Sequence, residues 1–392
     1  MSPGDLLPGP RVLLGPGPSM ADPRVLRAMS TPLLGQFDPE FTEIMNEVMD
    51  LSRFAFQTAN ARAFPVPGTG RAGLEAALTS LVEPGDRVVV AECGRFGLLL
   101  IEIAERCGAE VAAVRGEWGR LIDLDAIEAA LKAARTKLVA VVHGETSTGI
   151  LQPLADIARL AHDHGALLVA DCVVTLGGCE VAVDRWDVDV AIAGTQKCLS
   201  CPSGLAPVTF NARAEAAIRG RRTKVRSNYL DLGQLSDYWS PARFNHHTAP
   251  TAMVYGLREA LRAVHEEGLE ARFARHRANH LALVAGLEAL GFRFVVEPSR
   301  RLWMLNSVYL PSLGDGYDEA KLRRRLLGDH SIEVGGGLGA FKGKIWRIGL
   351  MGESSKRENV LRLLAALEHL LPQAGCAVAP GSGVAAAEAI DG

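Results

Sequence analysis

Between about residues 60 and 210 the sequence alternates short, β-branched apolar runs with longer stretches of helical period, and this feature most narrows what the chain can fold into. Such a pattern predicts a parallel sheet wrapped by helices. Strands are expected over 87–91, 110–114, 138–143, 166–171, 188–193 and 206–210, with helices near 71–82, 95–107, 124–134 and 153–164. Gly85, Gly108 and Gly165 each fall between a helix and the next strand, where a left-handed residue ends helices at little cost.

Beyond residue 250 the pattern changes to long amphipathic helices (250–267, 269–290), strand-like pieces at 292–297 and 303–310, and a last helix over 356–371. The chain therefore divides into an N-terminal segment (1–20), a large domain (21–255), a smaller α+β domain (256–372) and a small-residue tail (373–392) expected to be flexible. No internal repeat is visible.

Composition removes several classes of function. Of 392 residues 48% are hydrophobic and 22% charged, which excludes a disordered chain. Lys and Arg number 42 against 45 Asp and Glu, spread along the chain, so nucleic acid is not an expected partner. No apolar run approaches the roughly 20 residues of a membrane span, and the start has no signal-peptide layout, so a soluble, cytoplasmic protein is expected. Seven cysteines, an odd number, read as reduced thiols rather than a disulfide framework. Cys198 and Cys201 have the C-x-x-C spacing of redox and zinc sites, but no second pair or His cluster completes a metal set, and no metal is expected.

The chemistry concentrates at strand ends. Asp189 to Lys197 is an apolar strand leading into a polar turn that closes on a lysine. Desolvation there lowers a lysine's pKa toward the neutral amine that forms a Schiff base; the plain alternative is a strand-end lysine that reaches solvent. A second apolar strand, 166–171, finishes in Asp171 at the sheet edge where α/β proteins collect ligands, although an isolated Asp there is more often a helix cap. Pyridoxal phosphate needs both groups: a lysine for its aldehyde and an acid that keeps its pyridine nitrogen protonated. A third piece, Gly68-Thr69-Gly70, opens a helix with free backbone N–H groups that suit a phosphate, and it is neither a Walker loop nor a dinucleotide fingerprint.

Together with Gly15-Pro16-Gly17-Pro18, His143 to Gly149, Gly194-Thr195-Gln196-Lys197, His246-His247-Thr248 and Trp346-Arg347-Ile348-Gly349, these residues resemble the class V pyridoxal-phosphate aminotransferases of the alanine-glyoxylate and serine-glyoxylate group. The resemblance runs from about residue 10 to 372. It implies a fold type I, aspartate-aminotransferase-like α/β architecture with a mostly parallel seven-stranded sheet and a smaller α+β domain. It further implies pyridoxal phosphate tethered to Lys197 with Asp171 at the ring nitrogen. Phe96 would stack on the ring, where many relatives carry Trp. Thr146 would reach the ring substituents, Val173 would pack beneath it, and Gln196 and Gly68 to Gly70 would lie near the phosphate. Thr248 would reach the phosphate in a neighbouring subunit, which makes a homodimer with shared sites obligatory. Arg347 would hold the substrate carboxylate through a two-bond fork; an ordinary surface ion pair is the alternative.

Two positions bear on the amino donor. Gln36, in Gly35-Gln36-Phe37-Asp38-Pro39, stands where alanine and serine enzymes tend to have a small residue, and Asn245 stands where they tend to have tyrosine. Each adds a carboxamide, the hydrogen-bonding complement of a urea group. The combination is similar to the (S)-ureidoglycine-glyoxylate aminotransferases of purine breakdown, with alanine- or serine-glyoxylate transfer as the alternative. Cysteine desulfurases share the class and need a mobile nucleophilic cysteine, whereas Cys198 directly follows Lys197 and Cys376 lies in the tail.

Overall fold

The computed structural model describes residues 6 and 8–390. Its centre is a seven-stranded sheet in the spatial order Arg62–Pro67, Leu205–Phe210, Val190–Ile192, Leu167–Asp171, Leu138–Val142, Arg87–Glu92 and Glu110–Arg115. Leu205–Phe210 runs antiparallel to both neighbours and the other pairings are parallel. The interior strands are apolar on both faces because helices cover both: Val88, Val89, Val139, Ala140, Leu168 and Val169 are all buried. The six expected strands are present with ends displaced by no more than two residues at any end, and the four expected helices become Gly70–Leu81, Arg95–Arg106, Leu124–Ala133 and Ala155–Asp163. Gly85, Gly108 and Gly165 have φ of 86°, 88° and 70°, the left-handed values their positions predicted.

The seventh strand, Arg62–Pro67, has no counterpart among the six expected from the pattern. Its sequence, RAFPVP, carries two prolines, which cannot donate to a ladder, and the strand accordingly lies at the sheet edge with one paired side. The helix Pro39–Phe56 is likewise additional. Asp38 caps it by accepting from Glu40 N at 2.8 Å, and Pro39 starts it, so Gln36 and Phe37 lie in the turn immediately before a fixed helix end.

The second hydrophobic cluster belongs to the C-terminal half, where an antiparallel sheet (Arg293–Phe294, Leu305–Tyr309, Ile345–Gly349, Gly335–Gly336) packs with the helices Leu269–Ala289, Glu319–His330 and Arg357–Gln373. The start of the chain joins this half: Val12–Leu13 pairs with Ile332–Glu333, and Val12 and Leu14 are in its core.

The tail departs from expectation. Ser382–Glu388 is a helix packed against Leu269–Ala289 and Arg357–Gln373, with Gly383 and Ala387 buried. Small residues are the reason, since a Cβ at Gly383 would come within 2.8 Å of Leu290. Glu368 accepts from the amides of Gly381, Gly383 and Val384, so a carboxylate from another helix caps a start that has no side-chain cap of its own. Glu368→Ala should cost about 1 kcal/mol of stability and speed proteolysis within 376–390. Unchanged cleavage in limited digestion would contradict this docking.

Candidate active site

Parallel strands deliver their C-terminal ends to one edge of the sheet, and the site is assembled there from three of them. Leu167–Asp171 ends in Asp171, Val190–Ile192 leads through Gly194 to Lys197, and Leu138–Val142 leads into the turn holding Glu145 and Thr146. The helices Gly70–Leu81 and Arg95–Arg106 start at the same edge and contribute Thr69, Gly70 and Phe96. Asp171, Lys197, Thr146, Thr69, Gly70 and Phe96, with Val173 and Gln196, line one cavity of about 240 Å³. Eight of the expected positions therefore converge: Thr69, Gly70, Phe96, Thr146, Asp171, Val173, Gln196 and Lys197.

Lys197 does not reach out to solvent. Its Nζ donates to the Pro16 carbonyl, while Ser19 Oγ donates to the Lys197 carbonyl at 2.7 Å, so the N-terminal segment is laid across the lysine. Gly17 lies over the side chain at φ 116°, where a Cβ would collide with Nζ. Burial lowers the ammonium pKa to about 8, with the Arg347 charge lowering it further and the Cys198 and Asp171 groups opposing. Near neutrality its neutral form is then far more populated than that of an exposed lysine.

Asp171 is buried, and burial raises its pKa to about 7, assisted by the Glu145 charge and opposed by the Val173 amide and Lys197. Among the described residues its side chain has one donor, Val173 N at 2.9 Å on Oδ1. An acid so placed gains from a cationic N–H held against its other oxygen. Gln196 Oε1 is also buried without a partner, and Thr69, at the start of Gly70–Leu81, makes no side-chain cap. A desolvated lysine, a desolvated acid, an unsatisfied amide oxygen and an uncapped helix start in one cavity fit a group with an aldehyde, a basic ring nitrogen and a phosphate. Phe96 and Val173 supply the apolar faces.

Arg347 sits on Ile345–Gly349, buried, with Nε on the Gly336 carbonyl at 2.7 Å and Nη1 on the Thr146 carbonyl at 3.2 Å. No carboxylate lies within 4.0 Å of it among the described residues, so it is not an ordinary ion pair. Burial lowers its pKa to about 10, still cationic. Gly68 takes φ 131° beside the cavity without lining it.

The remaining expected positions lie elsewhere on this chain. Gln36 Nε2 donates to Asn245 Oδ1 at 3.3 Å and Gln36 Oε1 accepts from Ala249 N at 2.9 Å, so the two carboxamides and the 245–249 segment form one group. Neither residue, nor Thr248, lines the Lys197 cavity of the same chain. Asn245 and Thr248 are exposed, as are Phe37 and Phe244 beside them. Sequence reasoning gave no role to Pro16, Ser19 or Glu145; Pro16 and Glu145 lie in quoted motifs, but nothing in the pattern joins Pro16 to Lys197 or Glu145 to the helix that starts at Arg95.

The C-x-x-C pair is not a working dithiol. Cys198 packs with Val174 and Met304, Cys201 with Val25 and Ala260, and burial raises both thiols to about 12. Among the described residues no group of three His, Cys, Asp or Glu is placed to hold a metal ion.

A lysine and an acid at adjacent strand ends, with a helix start facing them, define an aminotransferase-type site, and the chain belongs to the class-V aminotransferase family, whose profile matches residues 12–337. It is 48% identical to an (S)-ureidoglycine–glyoxylate transaminase of Bacillus subtilis (strain 168), over 96% of this chain and 94% of that one. The crystal structure of a ureidoglycine-glyoxylate aminotransferase from Bacillus subtilis superposes with a TM-score of 0.96, covering 99% of both chains at 48% identity. That of an alanine–glyoxylate aminotransferase from Nostoc sp. gives 0.91 at 44% identity, covering 94% and 97%. The resemblance read from the motifs is borne out, as is the fold type I architecture.

The Asp171 environment gives a test on the cofactor-free protein. A carboxyl raised from 3.8 to about 7 binds its proton more tightly when folded. Its contribution to stability is therefore full below the unfolded value and lost as pH rises through the folded one. Asp171→Asn should be more stable than the parent at about pH 8, by at most on the order of 4 kcal/mol, and no more stable near about pH 4. Thermal melts at the two pH values check this; a variant equal to the parent at both would contradict the desolvation.

Proposed function

We propose that the chain is a pyridoxal-phosphate-dependent aminotransferase that moves the amino group of (S)-ureidoglycine to glyoxylate, giving oxalurate and glycine, as a cytoplasmic homodimer. The observation that carries the reading is the convergence of Lys197 and Asp171 in one cavity beside the Arg347 guanidinium. All seven cysteines are unpaired, which fits a reducing compartment.

When bound, pyridoxal phosphate supplies an aldehyde for the tether and an electron-accepting ring that stabilises a carbanion at the donor's Cα. The chain's residues do the rest. Asp171 would hold the ring nitrogen through its free carboxylate oxygen and would supply a negative charge fixed before reaction. Lys197 Nζ, desolvated and partly neutral, takes the Cα proton and returns it later. Thr69, Gly70 and Gln196 would hold the phosphate, and Phe96 and Val173 would pack on the faces of the ring. Arg347 holds the carboxylate of each substrate in turn through the N–H groups not used on Gly336 and Thr146. One site serving donor and acceptor alternately gives ping-pong kinetics.

Ureidoglycine as donor is supported by the Gln36–Asn245 pair, in which Oε1 of Gln36 and Oδ1 of Asn245 are engaged and Asn245 Nδ2 is left to meet a ureido carbonyl. The pair and Thr248 sit on an exposed segment with Phe37 and Phe244, which suits a surface that closes over the second subunit's cavity. The second reading, alanine or serine as donor, is favoured by the 44% identity to the Nostoc enzyme.

Assays with glyoxylate and freshly generated ureidoglycine, alanine or serine separate the two readings. Gln36→Ser with Asn245→Tyr should lower kcat/KM for ureidoglycine at least tenfold relative to alanine, and an unchanged preference would remove the donor assignment. Lys197→Ala should lose transfer from all three donors, by a factor of 1000 or more. Residual activity near the parent's would exclude Lys197 as the base.

A further inference from the structure

Glu145 is one of the most enclosed carboxylates in the protein, 1% exposed, and the chemistry above does not use it. Its Oε2 accepts from Phe96 N at 2.9 Å and Gly97 N at 3.2 Å, and its Oε1 from Ser147 N at 2.9 Å and Ser147 Oγ at 2.6 Å. The first two amides open the helix Arg95–Arg106, whose N-cap, Gly94, has no side chain with which to cap it. Glycine is needed there because a Cβ would occupy the space of the Glu145 side chain. Ser147 Oγ also accepts from Arg95 N at 2.9 Å.

Burial pushes the Glu145 pKa up, while all four partners donate to it and so favour the anion. Among the described residues no cation pairs with it within 4.0 Å, and the positive end of a twelve-residue helix takes that place. The next residue, Thr146, lines the cavity and accepts from Arg347 Nη1 with its carbonyl. The Glu145 carbonyl closes this turn on the amides of Thr148 and Gly149, at 3.2 and 2.8 Å.

We propose that Glu145 is a positioning residue of the active site: its buried carboxylate fixes the helix start that carries Phe96 and the turn whose next carbonyl holds Arg347. The inference rests on the reading of the cavity as one that takes pyridoxal phosphate and a carboxylate substrate. Through one side chain the ring-stacking wall and the carboxylate clamp share a register. A carboxamide has one acceptor oxygen, so Glu145→Gln can serve the Phe96 and Gly97 amides or Ser147 but not both, and its own N–H faces a donor on the other side.

The test compares the parent with E145Q and G94A. In cofactor-free protein, hydrogen exchange at the Phe96 and Gly97 amides should be at least tenfold faster in both variants. After loading with pyridoxal phosphate, both should bind it with altered visible circular dichroism, because the ring's wall has moved. In both, kcat should fall at least tenfold and KM for the amino donor rise. Parent-like exchange, dichroism and kinetics in a folded variant would overturn the proposal, as would a loss of melting temperature with dichroism and kcat unchanged. Should E145Q fail to fold, Ser147→Ala, which removes two of the hydrogen bonds, gives the same readouts at smaller amplitude or overturns the proposal. A parent protein that binds pyridoxal phosphate but transfers no amino group refutes the proposed function, while the exchange and dichroism comparisons still decide the role of Glu145.

Discussion

The site depends on keeping two ionisable groups away from water at neighbouring strand ends. Burial lowers the Lys197 ammonium to about 8 and raises the Asp171 carboxyl to about 7, so each moves toward its neutral form. In water the lysine would be fully protonated and the acid fully ionised at neutral pH. Desolvated, a lysine can serve as a nucleophile or a base, and an acid's charge is best balanced by a cation brought into the cavity. The N-terminal segment completes the enclosure: Pro16 receives the amine, and Gly17 leaves room for its chain.

Sheet topology brings together the turns that carry these groups. Strands Leu138–Val142, Leu167–Asp171 and Val190–Ile192 are adjacent and parallel, so the residues that follow them meet at one edge. The C-terminal half reaches that edge through Arg347, whose Nη1 bonds Thr146, and the first strand of the chain is paired into that half. The two halves therefore meet beside the cavity, and Arg347 is held there by backbone carbonyls rather than by a competing carboxylate. An arginine held in this way keeps part of its fork available for a substrate.

What the sequence made legible follows from which interactions are local. Buried parallel strands are written as runs such as Leu-Val-Ala-Val-Val, and the lysine and acid at their ends could be picked out because charged residues close apolar runs. Arg62–Pro67 escaped because an edge strand tolerates the prolines that read as a breaker. The tail helix escaped because its stability comes from close approach of Gly383 and Ala387 and from a cap supplied by Glu368, neither of which has a local signature. Gln36 and Asn245 were legible as residue types, and their mutual hydrogen bond across 209 positions was not. Glu145 reads in sequence as one more polar residue in a turn, since the helix amides it caps, those of Phe96 and Gly97, lie 49 and 48 positions away.

The central claim is that Lys197 is the covalent anchor of the site. Incubation with pyridoxal phosphate, reduction with borohydride and peptide mapping read this directly. A pyridoxyl group on Lys197 in near-stoichiometric amount is the expected outcome. Label confined to other lysines, with the Lys197 peptide unmodified, would contradict it.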